Sequence, residues 1–268
     1  MIAGRQNEAL VPPGPEQARP LLLAATALSL LLLALLKLPG PFAGFAAIHG
    51  ATRVLPLSVW QNITVFGDER ALLALFLPFA LHYRRLLWPL LLATLFGWLL
   101  SRGFKHLLHV PRPANVLTMA ELPLAGARLG RDSFPSGHTM AAFTFIGLWL
   151  VLLPRRWVLP LLTLASLVAL SRIGLGDHWP ADCLAGAFLG LLSAYLGIVA
   201  SQRIAFCRQG RGTCELVLVL LGLVLTLVLF KGGQAATQWL RFALVAGSLT
   251  GFGYSLLETS RRRLPEIS

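Results

Sequence analysis

The stretch SRIGLGDHWPAD, residues 171–182, places one arginine, one histidine and two aspartates between two long apolar segments. The chain has 268 residues, of which 56% are hydrophobic and only 13% are charged. Because soluble domains carry about 25% charged residues, this composition indicates an integral membrane protein. Ionisable residues near membrane depth are candidates for function by default. The stretch is therefore a candidate functional segment between two membrane spans.

The apolar segments predict eight membrane-spanning helices, since one span needs ~20 mostly apolar residues. The expected spans lie near residues 21–38, 71–83, 86–104, 139–153, 157–173, 182–201, 215–230 and 238–257. The second is short and can extend back to Thr64. The predicted fold is an all-α polytopic helical bundle, with a six-span core over 21–202 and a two-span C-terminal appendage over 215–258.

Polar segments flank and separate the expected spans. Residues 1–20 are rich in proline and predict a disordered cytoplasmic tail. Residues 203–214 predict a cytoplasmic linker, and residues 259–268 predict a basic cytoplasmic tail. On the other side we expect a connection over 39–70 that lies along the membrane interface, and a long polar loop over 105–138.

The net charge of +12 is concentrated in arginine clusters at the ends of spans. The clusters follow the second, fourth, sixth and eighth expected spans and contain Arg84 and Arg85, Arg155 and Arg156, Arg203, Arg208 and Arg211, and Arg261 to Arg263. The positive-inside rule assigns this side to the cytoplasm, together with both termini. No basic stretch alternates with aromatic residues on a soluble domain, so the sequence argues against nucleic acid as a partner.

The cysteines and carboxylates predict no metal and no cofactor. Cys183 lies in an expected span, whereas Cys207 and Cys214 lie in an expected cytoplasmic loop, where thiols stay reduced. Their spacing, with no histidine nearby, matches no common zinc pattern. The sequence also lacks a carboxylate cluster of the magnesium-binding type.

Three polar clusters fall on the opposite, outer side of the predicted bundle. They are KHLLHVPRP at 105–113, PSGHT at 135–139 and the stretch at 171–182. Each alone has an ordinary explanation: a cation that reaches the headgroups, a serine that caps a helix, or a hydrogen-bonded pair of side chains. Together they can meet at one depth near the outer interface.

Read jointly, the clusters give K-x6-R-P from Lys105, P-S-G-H from Pro135 and S-R-x5-H-x3-D from Ser171. This pattern resembles the three-part signature of the type 2 phosphatidic acid phosphatase superfamily, which also includes glucose-6-phosphatase and vanadium haloperoxidases. The resemblance covers about residues 60–202. The N-terminal tail and the last two expected spans lie outside it.

The resemblance implies different chemical roles for the two motif histidines. His178 would attack phosphorus to give a phosphohistidine intermediate, and His138 would protonate the leaving oxygen. Asp182 follows His178 by four residues and lies on the same face of a helix that begins near Pro180. Its carboxylate can hold one imidazole nitrogen as N–H, which leaves the other lone pair free for attack.

The remaining motif residues suit a phosphate group. Arg112 and Arg172 can give bidentate contacts to phosphate oxygens, and Lys105 supplies a point charge. Ser136 and Gly137 fall where the fourth expected span begins, and free N–H groups at a helix N-terminus suit an anion. We expect these five residues to bind the phosphate.

Other polar residues near the motifs receive no role from the sequence. Asp177 does not easily share the helical face of Asp182 and is interpreted as a loop or interface residue. His106 and His109 lie inside the first motif but match none of its required positions. His49 and His82 also receive no role.

The favoured function is a metal-independent lipid phosphatase of a bacterial inner membrane, with its site open to the periplasmic face. Undecaprenyl pyrophosphate, phosphatidylglycerophosphate, phosphatidic acid and lipid A phosphates all remain candidate substrates. A lipid phosphotransferase with the same intermediate is the alternative, in which a lipid such as lipid A replaces water. A non-enzymatic transporter is less favoured, and a haloperoxidase is disfavoured because the motif-bearing helices are membrane spans. The sequence leaves the oligomeric state open.

Overall fold

The computed structural model of the protein describes residues 12–36, 44–117, 132–229 and 235–261. Within these ranges the chain is helical, apart from turns and one isolated β-bridge between Pro111 and Asp132. The all-α prediction is therefore confirmed. The tails expected at the extreme ends of the chain, and the middle of the loop expected over 105–138, lie outside the described residues.

The described ranges contain twelve α-helices and several 3₁₀ turns. In chain order the helices are α1 (Pro15–Leu36), α2 (Phe45–Thr52), α3 (Leu57–Val65), α4 (Glu69–Phe76), α5 (Leu87–Leu108), α6 (Pro113–Val116), α7 (Gly137–Leu150), α8 (Val158–Gly174), α9 (Pro180–Arg203), α10 (Ala205–Arg208), α11 (Thr213–Leu229) and α12 (Gln238–Arg261). The two longest, α9 and α12, have 24 residues each, which is enough to cross a bilayer.

Among the described residues, five helical stretches are long and apolar enough to span a membrane, as predicted for a multi-pass membrane protein. They are Pro15–Ala34, Arg84–Leu108, Arg155–Gly174, Pro180–Arg203 and Ala235–Arg261. Two shorter apolar helices, α7 and α11, coincide with the spans expected at 139–153 and 215–230. The second expected span, at 71–83, does not form one continuous α-helix.

A proline breaks the span expected at 71–83. Helix α4 ends at Phe76 after eight residues, and the chain continues as a 3₁₀ turn that contains Pro78. Proline has no N–H to donate to the carbonyl four residues earlier, which here belongs to Ala74. The hydroxyl of Ser248 on α12 donates to that carbonyl at 2.6 Å instead. The C-terminal appendage thus completes the hydrogen bonding of the broken helix.

The first helix begins earlier than the sequence predicts. Helix α1 starts at Pro15, so the disordered tail expected over residues 1–20 is wrong for its last six residues. Proline is favourable in the first helical turn, where no intrahelical hydrogen bond is lost, and Glu16 suits the positive end of the helix dipole. The preceding residues are also held, because Gln202 on α9 donates to the carbonyl of Pro13 at 3.1 Å.

Helix α9 is central and packs against α1, α5 and α7. Two of its glycines allow the close approach of α7. A Cβ atom at Gly186 would lie 2.7 Å from the carbonyl oxygen of Ser136, and one at Gly190 would lie 2.5 Å from that of Met140. The beginnings of α7 and α9 are therefore side by side, which brings the second and third sequence motifs together.

All three polar motifs lie at one end of the bundle. Helices α5 and α8 end there, at Leu108 and Gly174, and helices α7 and α9 begin there, at Gly137 and Pro180. The connection expected along the membrane interface, 39–70, forms α2 and α3, which pack against α8. This connection therefore covers part of the motif-bearing end.

The fold predicts that Asn115 and Cys214 lie on opposite faces of the membrane. Cys214 is exposed, whereas Cys183 and Cys207 are buried, so Cys214 is the thiol that should react with a membrane-impermeant maleimide. In vesicles of uniform orientation, Cys214 should be labelled from one side. An Asn115→Cys variant in a Cys214→Ser background should be labelled from the other. Labelling of both positions from the same side would contradict the arrangement of α5 to α11.

Candidate active site

The turn between α8 and α9 carries His178 and is closed by hydrogen bonds to one carbonyl. The backbone N–H groups of Asp177 and His178 both donate to the carbonyl of Arg172, at 3.0 and 3.2 Å. Helix α9 then begins at Pro180, a residue whose fixed φ favours the first helical turn. His178 is only 2% exposed, so its imidazole is held by the two helix ends that meet here.

The carboxylate of Asp182 contacts the imidazole of His178 from one turn further along α9. Its Oδ2 lies 3.3 Å from Nδ1 of His178 and accepts the backbone N–H of Trp179 at 2.8 Å. The hydroxyl of Ser133 also donates to Oδ2, and the Ser133 oxygen lies 3.3 Å from Nδ1. With Nδ1 as the donor, both oxygens can accept its N–H, and the imidazole lone pair is on Nε2.

Arg112 faces this second nitrogen of His178. Its Nη1 lies 3.2 Å from Nε2 and also donates to the carbonyl of Asp177 at 3.2 Å. Since a guanidinium has no acceptor atom, Nε2 is the acceptor. Burial, followed by the positive charges of Arg172 and Arg112, holds the pKa of His178 well below its usual range. The imidazole is therefore neutral at pH 7, and its lone pair points toward a cation.

Arg172 is buried at the end of α8 with two partners and one unpaired N–H. Its Nη2 forms an ion pair with Asp177 at 2.7 Å, and its Nη1 donates to the hydroxyl of Thr64 on α3 at 2.7 Å. Its Nε is buried and has no hydrogen-bond partner in the described part of the chain. Leaving a buried donor unpaired costs ~1–3 kcal/mol, so this N–H is suited to a ligand oxygen.

Lys105, Ser136 and Gly137 border the same site from α5 and α7. The Nζ of Lys105 donates to the carbonyl of Asp132 at 3.2 Å. The backbone N–H of Ser136 donates to the carbonyl of Asp182 at 3.0 Å, which joins the beginning of α7 to that of α9. Because α7 begins at Gly137, the N–H groups of its first turn have no intrahelical acceptor.

His138 lies on the first turn of α7, against the turn between α3 and α4. A Cβ atom at Gly67 would lie 2.8 Å from the Cβ of His138, so this close approach requires glycine. Asp68 follows, and Arg70 donates to its carboxylate at 3.0 and 3.1 Å. His138 therefore packs against the turn that carries the Asp68–Arg70 pair.

The structure brings the predicted site residues together at one end of the bundle. Direct contacts connect His178 with Asp182 and Arg112, and a backbone bond connects Asp182 with Ser136. The carbonyl of Arg172 accepts the N–H groups of Asp177 and His178, which joins Arg172 to the same turn. Lys105, Arg112 and Gly137 border one cavity, and His138 follows Gly137 in sequence. The chemical roles of these eight residues stay predictions.

Sequence reasoning missed three residues that support the site. Asp177 lies in a turn, as interpreted, but it is buried and pairs with Arg172. A carboxylate directly before the motif histidine was a usable signal for this pairing. Ser133, three residues before Ser136, and Thr64 carried no comparable signal, because their contacts depend on how distant segments approach each other.

One of the histidines given no role is also structural. His49 on α2 is 2% exposed, and its Nδ1 donates to the carbonyl of Ile173 at 3.0 Å. It stacks on Phe45, with ring centroids 5.2 Å apart. His49 thereby supports the end of α8, one residue from Arg172. His109, by contrast, is exposed and lies 3.3 Å from Asp132.

A cavity of about 510 Å³ opens beside the site. Gly137 and charged residues of both signs border it, with the cations Lys105, Arg102, Arg70 and Arg112 outnumbering the carboxylates Glu69 and Asp132. The rest of the lining is mainly apolar and comes from α4, α5 and α7. The cavity therefore joins a cationic region to an apolar one. Such a combination suits an amphiphile with an anionic headgroup.

The central part of the chain is similar to a known family and to a solved structure. Residues 86–205 match the family model of the PAP2 superfamily, and this range contains all eight predicted site residues. The crystal structure of the first transmembrane PAP2 type phosphatidylglycerolphosphate phosphatase from Bacillus subtilis is similar, with a TM-score of 0.50 and 25% sequence identity. The alignment covers 67% of this chain and 96% of that chain. The resemblance read from the motifs is therefore confirmed.

Three curated proteins are similar over shorter stretches. The bacitracin transport permease protein BcrC of Bacillus licheniformis is 40% identical over 78 residues, which is 29% of this chain and 38% of that protein. The putative undecaprenyl-diphosphatase YbjG of Escherichia coli (strain K12) is 43% identical over 72 residues, 26% of this chain and 34% of that one. An undecaprenyl-diphosphatase of Sulfolobus acidocaldarius is 37% identical over 67 residues, 25% and 32% respectively. The chain thus spans about a third of the length of these relatives.

The contacts of Ser133 predict that this residue supports Asp182 and His178. A Ser133→Ala variant should lower kcat by about ten-fold, because removing a buried hydrogen-bond donor costs ~1–3 kcal/mol. Ser201→Ala is the matched control, since Ser201 is equally buried and its hydroxyl donates only to Ile198 of its own helix, at 2.7 Å. Phosphate release from a lipid phosphate measures the effect. Equal kcat values for the two variants would contradict a role for Ser133.

Proposed function

Starting from the match of residues 86–205 to the PAP2 superfamily, we propose that this membrane protein is a lipid phosphatase that forms a phosphohistidine. The environment of His178 carries the proposal. Its Nδ1 lies 3.3 Å from the Asp182 carboxylate, and its Nε2 lies 3.2 Å from the Arg112 guanidinium. A neutral imidazole held in this way presents one lone pair where an anionic group would bind.

The phosphate group is bound by the cations that surround His178. Arg112 and Arg172 donate to its oxygens, and the unpaired Nε of Arg172 supplies one of these hydrogen bonds. Lys105 adds a third positive charge. The N–H groups of the first turn of α7, next to Ser136 and Gly137, bind a further oxygen. These donors stabilise the charge that develops on the equatorial oxygens during displacement.

In the first step, Nε2 of His178 attacks phosphorus in line with the bond to the leaving oxygen. The N–P bond forms while that P–O bond breaks, and the electron pair goes to the leaving oxygen. His138 gives this oxygen a proton. Asp182 retains the N–H at Nδ1 and stabilises the positive charge that develops on the ring.

In the second step, water attacks phosphorus from the side that the leaving group has vacated. His138, now neutral, accepts a proton from this water. The N–P bond breaks and its electron pair returns to Nε2 of His178. Inorganic phosphate is released, and both histidines regain their starting protonation states.

The proposed mechanism needs no metal ion. Three cationic side chains, Lys105, Arg112 and Arg172, offset the charge of the phosphate. The two carboxylates beside His178 are already engaged, Asp177 with Arg172 at 2.7 Å and Asp182 with His178 and Trp179. No further cofactor is proposed.

The site is proposed to face the periplasm from a bacterial inner membrane. Arginines lie at the opposite ends of three of these helices: Arg84 and Arg85 before α5, Arg155 and Arg156 before α8, and Arg203 at the end of α9. The positive-inside rule assigns those ends to the cytoplasm. Both chain termini are then cytoplasmic. Lipids of the outer leaflet present their phosphate groups at the depth of the site.

The proposed substrate is a phosphate or diphosphate group on a lipid. Two relatives carry the name undecaprenyl-diphosphatase, one of them as putative, and the solved structure is a phosphatidylglycerolphosphate phosphatase. Both names describe a phosphorylated lipid, which fits a cavity with one cationic and one apolar end. An isoprenyl diphosphate and a glycerophospholipid phosphate are therefore the substrates to compare first.

Two other functions are consistent with parts of this site. A phosphotransferase would share the first step and pass the phosphate to a lipid acceptor, such as lipid A, in place of water. A transporter is favoured by one observation, the name of the relative BcrC as a bacitracin transport permease protein. Transport that persists in a His178→Ala variant would support that second candidate.

The hydrolase proposal predicts phosphate release without a lipid acceptor. Purified protein in detergent should liberate inorganic phosphate from an isoprenyl diphosphate or a glycerophospholipid phosphate, and excess EDTA should leave the rate unchanged. Vanadate, a trigonal-bipyramidal phosphate mimic, should inhibit. Release that requires an added lipid acceptor would favour the phosphotransferase. Loss of activity on chelation, restored by magnesium, would contradict the metal-independent mechanism.

The roles of the two histidines predict different dependence on the leaving group. His178→Ala should abolish turnover of every substrate, because the covalent route is lost. His138→Ala should lose about 10²–10⁴-fold on a lipid monophosphate but much less on an aryl phosphate with an acidic phenol, whose leaving oxygen needs no proton. Asp182→Asn should lie between the two. Equal losses for both histidine variants on both substrates would contradict this assignment.

A further inference from the structure

The cavity beside the site changes character along its length. Its outer end is bordered by Lys105 and Arg112, and Arg102 lies there with its guanidinium 5.9 Å from the ring centroid of Trp98. Trp98, one turn before Arg102 on α5, is 51% exposed. The inner part is bordered mainly by apolar side chains. An occupant must therefore be polar at one end and apolar at the other.

The apolar part of the cavity runs parallel to the membrane-spanning helices. Both Lys105 and Leu90 of α5 border it, and between them the helix descends roughly 22 Å at 1.5 Å per residue. On α7 the lining extends from Gly137 to Phe145, which adds a second wall of roughly 12 Å by the same rise. A hydrocarbon chain bound along this groove would run parallel to the surrounding lipid chains.

Helix α11 contributes a wall that lies outside the PAP2 match. The match ends at residue 205, whereas Leu223 of α11 borders the cavity together with α4, α5 and α7. Its neighbours Leu220 and Val224 are buried in the main hydrophobic core, which fixes the helix against the bundle. Leu223 is 42% exposed and borders the cavity, whereas Leu218, five positions earlier, is 67% exposed and does not border it.

We infer that α11 and the six-span core together form the groove that binds the hydrocarbon chain of the substrate, with Leu223 as a residue that selects the chain. The inference rests on the proposed function, because it takes the ligand to be a lipid whose phosphate lies at Lys105 and Arg112. The cavity is continuous between these cations and Leu223. One amphiphilic molecule therefore fills both parts, and the C-terminal appendage acquires a role in substrate recognition.

Leucine-to-tryptophan substitutions on two faces of α11 test this role. Leu223→Trp should fill part of the groove, whereas Leu218→Trp places the same side chain on the lipid-exposed face. The measurement is the ratio of kcat/KM for a long-chain lipid phosphate to that for a short-chain analogue with the same headgroup. We expect this ratio to fall by about ten-fold in Leu223→Trp, because the indole takes space that the long chain would occupy, and to be unchanged in Leu218→Trp.

The outcomes separate this inference from the proposed function. If the wild-type protein releases phosphate from neither substrate, the proposed function fails. If the wild-type protein is active and both variants keep the wild-type ratio, the groove assignment alone fails. A ratio that falls equally in both variants also contradicts the assignment, because Leu218 does not border the cavity.

Cysteine protection gives a second measurement that does not depend on the tolerance of tryptophan. In a Cys214→Ser background, Leu223→Cys and Leu218→Cys are treated with a membrane-soluble maleimide in the presence of a non-hydrolysable long-chain lipid phosphonate. The phosphonate should slow labelling at position 223 by several-fold and leave labelling at position 218 unchanged. Equal labelling rates at position 223 with and without the phosphonate would overturn the inference, even if Leu223→Trp fails to fold.

Discussion

The buried carboxylate of Asp182 is the contact on which the site depends. Its Oδ2 accepts hydrogen bonds from the hydroxyl of Ser133 and the backbone N–H of Trp179, and lies 3.3 Å from Nδ1 of His178. Its carbonyl accepts the N–H of Ser136 at 3.0 Å. A buried carboxylate is tolerated only when it is hydrogen-bonded or paired. The partners of this one residue therefore fix the second and third motifs relative to each other.

The same constraint connects the outer parts of the molecule to the site. Asp177 and Thr64 both contact the guanidinium of Arg172. Because Thr64 lies on α3, the segment that forms α2 and α3 helps to support this buried cation. At the other side of the bundle, Ser248 of α12 donates to the carbonyl that Pro78 leaves without a partner, and a Cβ at Gly251 would lie 3.0 Å from Pro78. The appendage is thus packed on the broken helix α4, which borders the proposed substrate groove.

Local patterns in the sequence predicted the helical fold and the motif residues, but they did not predict contacts between distant segments. The four-residue spacing across the start of α9 places Asp182 beside His178, and apolar segments locate the long spans. The partners Ser133 and Thr64 depend on the meeting of segments far apart in the chain, which no local pattern encodes. Helix ends were also misjudged where proline acts: Pro15 begins α1 inside the expected tail, and Pro78 interrupts the expected second span.

In the proposed mechanism, Nε2 of His178 becomes covalently bonded to phosphorus. The most direct test is to quench the enzyme during turnover of a phosphate-labelled lipid at alkaline pH, where phosphohistidine survives, and to locate the label by mass spectrometry and phosphorus NMR. We expect a phosphate on Nε2 of His178, because Asp182 and Ser133 occupy the side of Nδ1. A phosphate on Nδ1, on His138 or on no histidine would contradict it.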